Sequence, residues 1–354
     1  MTKARTNASA SPAVGRNMII NGAMNVSQRA TTTGTGGVGG TTAHYPTLDR
    51  WQIEASGAGR ATMSQTSDGP NGISANCIKL DCTTADADIA SAEYFIIEHN
   101  LEGQNLQRIG KGVAGAKQVT ISFYVKASAS FTFALEFLEV QHGRSCSKLF
   151  DVTTDWNRIE LIFPADVDDG SSPIVDDNAA GVRLFFWLHG GATWTSGTLQ
   201  SGSFANQVSA NRAAGIDSFF SNTANNFFIT GVQMEVGPVA TEFEQEDIGV
   251  TLRKCQRYFC TVEKGITGIA TNAATIIFQY AYPVTMRALP AIVQTVNAFR
   301  VGDMVDTGTQ LTSTSTSASS HRSLDSGVWA VSGTVADNDL TARRTVLLEP
   351  DGSD

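Results

Sequence analysis

The chain has 354 residues, with 25 Lys plus Arg set against 34 Asp plus Glu, a formal net charge of −9. That length leaves room for two domains, each able to bury a core, and with no basic excess to neutralise phosphates nucleic acid is not an expected partner. Only 17% of residues are charged, Gly numbers 33, and Ser and Thr are abundant, a balance that suits an all-β protein and the charge-poor surface of an assembly subunit.

Residues 1–15 are small and polar and read as a flexible arm, or as an arm that threads onto a neighbouring subunit. No apolar core of signal-peptide length is visible there. No apolar run reaches the roughly 18 residues of a membrane helix. The expectation is a protein made in a cytoplasm, without membrane insertion.

Residues 16–243 are expected to form an antiparallel β-sandwich. Met18, Ile20, Met24 and Val26 are the inward positions of its opening segment, which bends at Asn21-Gly22. Thr31 to Thr42 is Gly/Thr-rich and reads as a mobile surface loop. Leu48 to Glu54 resumes a strand, with Trp51 and Ile53 inward. Asn76 to Cys82 follows, with Ile78, Leu80 and Cys82 inward, and then the dense apolar run Tyr94-Phe95-Ile96-Ile97.

The clearest alternation comes next. Val119, Ile121, Phe123 and Val125 form one face of a strand. Phe131, Phe133, Leu135 and Phe137 form another, and Ile159, Leu161 and Phe163 a third. From 182 to 189 apolar residues occupy both faces. That strand is central, or its outer face meets another subunit. In the stretch Phe227 to Phe243, Phe228, Val232, Met234 and Val236 fall on one side, with Thr230 between them. Ile229, Gly231, Gln233 and Glu235 fall on the other, and Gly237-Pro238 stops the ladder. This is the expected closing strand. Such strands separated by turn signals indicate a sandwich or jelly roll.

Residues 244–260 change period. Ile248, Leu252, Cys255 and Phe259 recur at helical spacing, with acidic residues early and Arg253, Lys254 and Arg257 late. A short connecting helix is expected, joining two domains or packing at a threefold axis. Residues 261–354 are expected to be a smaller β domain. Its strand candidates are 274–280, 291–296, 327–331 and 345–348, and Thr312 to Ser320 reads as an exposed low-complexity loop.

Several of these segments carry a resemblance. RNMIINGAMNVSQR at Arg16–Arg29, LDRW at Leu48–Trp51, FANQV at Phe204–Val208, ITGVQMEVGPVATEFE and then LRKCQRYF occur in this order. Together they resemble a recurring module of tailed-phage virion proteins, chiefly tail fibres and receptor-binding tail proteins. The likeness spans about Arg16 to Phe259, and beyond it only TMRALPAIV is similar. The opening and closing strands also resemble jelly-roll carbohydrate-binding modules, a fold-level analogy. The resemblance implies a structural virion subunit assembled in the host cytoplasm. It implies a homotrimer that joins other phage tail or capsid proteins and grips host surface polysaccharide by multivalent contact. The alternatives are a capsid fibre or tail decoration protein without receptor role, and a glycan-degrading tail appendage.

No catalytic constellation rises above chance. HExxH, GxSxG, a P-loop and a dinucleotide fingerprint are all missing, so the chain is read as a non-enzyme without a cofactor. None of His44, His99, His142, His189 and His321 sits at metal-ligand spacing from another. Asp166, Asp168 and Asp169, with Asp176 and Asp177, are weak calcium candidates, against the plainer reading of a solvated hairpin loop. Cys77, Cys82, Cys146, Cys255 and Cys260 show neither CxxC nor Cys/His spacing and read as plain thiols. For sugar contact the candidates are Trp194, Trp187, His189, Tyr45 and Trp329. Trp194 leads them, because its Gly/Thr-rich loop does not demand burial. Packing in the core or at a subunit interface is the competing role for each.

Overall fold

The computed structural model describes residues 15–34, 36–168, 170, 172–261, 266–272, 275–291, 298–303, 309–335 and 345–350. The expected arm, apart from Gly15, lies outside these residues, as does 292–296 of the expected strand 291–296. The chain divides into two compact units, Met1–Thr251 and Leu252–Asp354.

The strands of the first unit are β1 (Val38–His44), β2 (Trp51–Thr66), β3 (Cys77–Thr84), β4 (Tyr94–Glu102), β5 (Val119–Ala127), β6 (Phe131–Glu139), β7 (Arg144–Val152), β8 (Asn157–Phe163), β9 (Ala180–Gly190), β10 (Ala205–Asn206) and β11 (Asn226–Val236). A short helix, α1 (Ala192–Thr195), follows β9. The hydrogen-bonded order is β10-β7-β6-β9-β4-β2-β3-β11-β5-β8, with β1 on β2. Every pairing is antiparallel.

One strand serves two sheets. Trp51–Ser56 of β2 pairs with β4, whereas Arg60–Thr66 pairs with β3. The corner between them is Gly57-Ala58-Gly59. Gly57 has φ +72°, and a Cβ on Gly59 would lie 2.3 Å from the Thr84 carbonyl oxygen and 2.7 Å from the Phe220 ring. Only glycine allows the strand to turn this tightly against its neighbours. The two sheets then face each other as a jelly-roll sandwich. Phe123 of β5 meets Phe186 of β9 at 5.2 Å and Phe150 of β7 at 5.0 Å. Phe133 of β6 meets Phe227 of β11 at 5.6 Å. These edge-on ring contacts tie sheet to sheet and add to the burial of apolar area.

The expected inward faces of β3, β5 and β6 lie in this core. Trp51 is fully buried, and its indole N–H donates to the Asn21 carbonyl at 3.0 Å. The strand expected to be apolar on both faces is β9, which sits between β6 and β4. Its outer side packs Phe185 and Trp187 with Ile96, Ala134 and Ala213, and Trp194 and Ile216 rest against them. The segment that follows β9 therefore folds back over it, and the chain itself covers that face.

Several expectations change in the first unit. The stretch Thr31–Thr42 is not all loop: β1 begins at Val38, which is fully buried, and pairs with β2. In the opening segment Ile19 is buried and Ile20 is half-buried, because the chain there is turns and extended backbone without strand periodicity. In β11, Phe227 and Ile229 face the core, not Phe228. The register shifts between Thr230 and Gln233, and Gly231 has φ +61°. This bulge moves the inward set by one residue, so Val232 and Met234 face the core after it. β7 was not anticipated, because RSCSKLFDV carries charges and small polar residues along its length.

The opening segment packs against the bulge. A Cβ on Gly22 would lie 2.1 Å from the Val232 carbonyl oxygen, and Val232 N–H donates to the Gly22 carbonyl at 3.0 Å. Asn17 Oδ1 accepts the N–H groups of Met234 and Ile19, both at 3.0 Å. Asn21 donates to the carbonyls of Val26 and Asp49, both at 2.9 Å. Gln233 accepts the Glu244 N–H at 2.7 Å, and Glu235 accepts the Thr241 N–H at 2.8 Å. The polar residues of both segments thus hold the opening chain, β2 and β11 together.

The helix α2 (Ile248–Gln256) spans the division between units and is capped by Asp247, whose carboxylate accepts the Gly249 N–H at 2.9 Å. Its expected apolar stripe does not hold at the start, since Ile248 is exposed while Cys255 is buried. The second unit is a closed antiparallel barrel. Its strands are β12 (Ile266–Asn272), β13 (Thr275–Ala281), β14 (Ala298–Asp303), β15 (Thr309–Arg322), β16 (Ser326–Val335) and β17 (Thr345–Pro350), in the order β12-β13-β16-β15-β14-β17. The expected loop Thr312–Ser320 lies inside β15. Its alternating Thr residues carry β-propensity that low complexity conceals. Among the described residues, no helix is long and apolar enough to cross a membrane.

Candidate functional site

Aromatic and hydrogen-bonding side chains come together on the outer face of β3, β11, β5 and β8, where Trp156 and Tyr124 are half-buried and Phe228 is buried at 7% exposure. Cross-strand register sets the rows. Phe228 of β11 lies opposite Lys79 of β3 on one side and Lys126 of β5 on the other. Two residues along, Tyr124 of β5 lies between Thr230 of β11 and Arg158 of β8. Trp156, just before β8, closes the first row with its ring 6.2 Å from Phe228, edge to face. The bulge at Gly231 turns Phe228 outward, and the missing side chain leaves room for Tyr124 and Ile73, each 2.9 Å from where a Cβ would sit.

The charges on this face cancel in pairs. Lys79 meets Asp81 at 2.8 Å, Lys126 meets Asp68 at 2.6 Å, and Arg158 meets Glu160 at 3.0 Å. The Lys126 ammonium also sits 4.6 Å from the Phe228 ring centre and 5.3 Å from that of Trp156. The Trp156 N–H donates to the Asp68 carbonyl at 3.1 Å. The result is a buried Phe228 ring flanked by the half-buried Trp156 and Tyr124, with the charged side chains around them paired off.

The residues expected to touch sugar lie elsewhere. Trp187 and His189 are fully buried. The Trp187 N–H donates to Glu136 at 2.9 Å, and Arg212 stacks 4.7 Å from its ring centre while pairing with the same carboxylate at 2.9 Å. Neither side chain can meet a polymer from solvent. Trp194 is half-buried, edge-on to Tyr94 at 5.4 Å and 5.7 Å from Trp187, and it donates to the Ala92 carbonyl at 3.3 Å. It caps the outer apolar cluster. Tyr45 is half-buried beneath Arg29, 5.4 Å from its ring centre. Trp329 belongs to the other unit, in β16 opposite Phe278 and Ala318.

The calcium candidates are matched by cations. Asp166 is buried, 2.8 Å from Arg144 and 3.5 Å from Lys111, and Arg144 also reaches Asp168 at 3.0 Å. Asp166 holds the Arg144 guanidinium above its ordinary pKa, chiefly through their hydrogen bonds. Glu139, also buried, pairs with Lys111 at 3.1 Å. This is an interior ion cluster, whose carboxylates already have partners. Asp169 lies outside the described residues. All five cysteines are free thiols, and burial pushes Cys146 up to about 11. A thiol held protonated in this way is unreactive.

Sequence reasoning missed Phe228 and Trp156. Unbroken alternation groups Phe228 with Val232, Met234 and Val236 on one side, and the only sign of the bulge that parts them is Gly231 in the middle of the strand.

No protein-family model matches the chain, and no curated protein matches it either. Solved structures give distant likenesses. One is the enzymatically active domain of tailspike protein 4 from bacteriophage CBA120, at 12% identity and a TM-score of 0.31, covering 62% of this chain and 21% of that one. Another is a CBM4 structure, at 12% identity and a TM-score of 0.29, covering 62% and 99%. A third is the family 11 carbohydrate-binding module from Clostridium thermocellum, solved with a mixed-linked tetrasaccharide, at 14% identity and a TM-score of 0.28, covering 54% and 91%. Identities and scores at this level carry no function across to this chain.

Proposed function

We propose that this chain is a structural subunit of a tailed-phage virion, of the tail-fibre kind, that contacts host surface glycans through the outer face of β3, β11, β5 and β8. The observation that carries the glycan reading is the two half-buried rings Trp156 and Tyr124, on neighbouring rows beside the buried Phe228, with their three ion pairs. An aromatic face accepts the C–H side of a sugar ring, while surrounding donors and acceptors take its hydroxyls. Because the six charges are paired off, the surface suits a neutral polysaccharide better than an acidic one. Each site would be shallow and weak, and several copies on one appendage would supply the grip. The virion assignment is supported by the phage-like segments, of which the opening segment, LDRW and the closing strand join in one polar network. A homotrimer in contact with other tail or capsid proteins belongs to the same proposal.

The virion reading is tested by antibody labelling of intact particles together with adsorption assays. Labelled appendages, and adsorption blocked by the antibody, are expected. Particles that carry the protein but adsorb normally when coated would point to a capsid fibre or decoration role. Shortening of host polysaccharide chains by the purified protein would point to the enzyme alternative.

A further inference from the structure

His189, at the end of β9, is fully buried. Its Nδ1 lies 2.8 Å from Ser218 Oγ. Its Nε2 is shielded from solvent and has no hydrogen-bond partner. Burial lowers the ring's pKa below the ordinary imidazole value, against the raising effect of Asp86. In the tautomer that donates Nδ1–H to Ser218, the Nε2 lone pair is left without a partner. A buried, unused acceptor is uncommon in a folded protein and calls for an explanation.

Two carboxylates lie where that lone pair is available. One ring nitrogen of His189 and one oxygen each of Asp86 and Glu93 are all within 4.8 Å of one another, and Glu93 Oε2 is 3.9 Å from Nε2. Both acids belong to the loop between β3 and β4, and both are half-buried. The loop is held at each end by backbone bonds: Asp86 N–H donates to the Phe220 carbonyl at 2.8 Å, and Gly191 N–H donates to the Glu93 carbonyl at 2.8 Å. Glu93 fits there because Gly57 lacks a side chain, since a Cβ would come within 2.6 Å of Glu93 Cγ. The Phe220 ring, 5.5 Å from the imidazole, supplies an apolar wall.

We propose that His189 Nε2 and the carboxylates of Asp86 and Glu93 form a site for one Zn2+ ion, which clamps the β3–β4 loop to the end of β9. One imidazole nitrogen and two carboxylate oxygens are a recognised donor set for zinc, with water completing the tetrahedron. An imidazole ligand disfavours calcium and magnesium, which take oxygen. Ligands of a tetrahedral zinc lie about 3.3 Å apart, given bond lengths of about 2.0–2.1 Å. The three ligand atoms, within 4.8 Å of one another, would draw closer when the ion binds, with Glu93 Oε2 still accepting the Ala90 N–H at 2.8 Å. Ser218 then plays the part that an outer hydrogen-bond partner plays in zinc sites, fixing the tautomer and the ring plane.

The test is a zinc titration of the tag-free, chelator-treated full chain by calorimetry, with Tm recorded alongside. The expected result is one equivalent bound at micromolar affinity or tighter, with a rise in Tm. A large excess of calcium or magnesium should not compete. Asp86→Asn combined with Glu93→Gln should keep the metal-free Tm and weaken zinc binding at least about tenfold. His189→Gln should lose binding as well, and the double variant covers the case in which it fails to fold. Co2+ loaded in place of zinc should give visible bands without a thiolate charge-transfer band. Absence of saturable zinc binding in the parent chain, binding unchanged in the double variant, or a thiolate band would each overturn the proposal.

Discussion

Asn17 and Met234 are 217 residues apart in sequence, yet the Asn17 Oδ1 accepts the Met234 N–H at 3.0 Å and the Met18 N–H returns a bond to the Met234 carbonyl at 2.9 Å. The opening chain is therefore locked onto the last strand of the sandwich. Asn17 also takes the Ile19 N–H and donates to the Val232 carbonyl at 3.3 Å. Asn17→Ala removes three hydrogen bonds from a half-buried position. It should cost about 2–3 kcal/mol, since each lost bond is worth about 1 kcal/mol. Urea denaturation of the full chain checks this, and a midpoint equal to that of the parent protein would show that the lock is ornamental.

Gly22→Ala should be worse for a different reason. Its Cβ would lie 2.1 Å from the Val232 carbonyl oxygen, so backbone has to move. A cost of about 3 kcal/mol is expected for such crowding. Gly202→Ala is the matched control, because nothing lies within 4 Å of its Cβ position. Thermal melts should place the first variant well below the second, and equal Tm values would refute the close approach.

Glu98 gives the first unit a pH dependence. Its side chain is buried, with the Arg183 Nε 3.6 Å away. Burial pushes its pKa up to about 7; Arg183 opposes the shift and Glu54 adds to it. The folded chain then holds a proton that the unfolded chain releases near 4.5. This contribution to stability is fully present below about pH 4.5 and is lost as pH rises through about 7. It amounts to something on the order of 3 kcal/mol. Glu98→Gln should remove the dependence, so the stability difference between parent and variant should change between pH 4.5 and 7 and level off above. A difference that stays flat across that window would contradict it.

Arg212 and Glu136 hold the segment after β9 against the sheet. Glu136 is fully buried and is reached by Arg212, by Trp187 and by Gln207 at 3.2 Å. Arg212→Met leaves the carboxylate buried without its cation and should cost about 3–5 kcal/mol. Adding Glu136→Gln should recover part of that loss, because the charge goes with it. If the double variant is no more stable than the single one in denaturant melts, the pair does not act as a unit.

The strands with strict alternation were readable from sequence, because one buried face imposes period two on residues such as Val119–Val125 and Phe131–Phe137. Elements set by backbone geometry were harder to see. The corner at Gly57–Gly59 and the bulge at Gly231 depend on which carbonyl or ring approaches the glycine, and that is a long-range fact. The bulge parts Phe228 from Val232 and Met234, with which strict alternation groups it, and so hides the aromatic cluster. Trp187 and His189 sit on a strand with two buried faces, where sequence does not show which side chains reach solvent. Asp86, Glu93 and His189 converge from a loop and a strand about a hundred residues apart, so no spacing rule could have grouped them.

The account rests most heavily on the aromatic row of the outer sheet face, and binding of the full-length chain to purified host surface polysaccharide tests it most directly. Saturable binding by the parent protein is predicted. Trp156→Ala should weaken it at least about tenfold, roughly 1.4 kcal/mol, while Trp194→Ala binds like the parent. Parent protein that binds no host glycan, or Trp156→Ala that binds as tightly as the parent, would contradict the account.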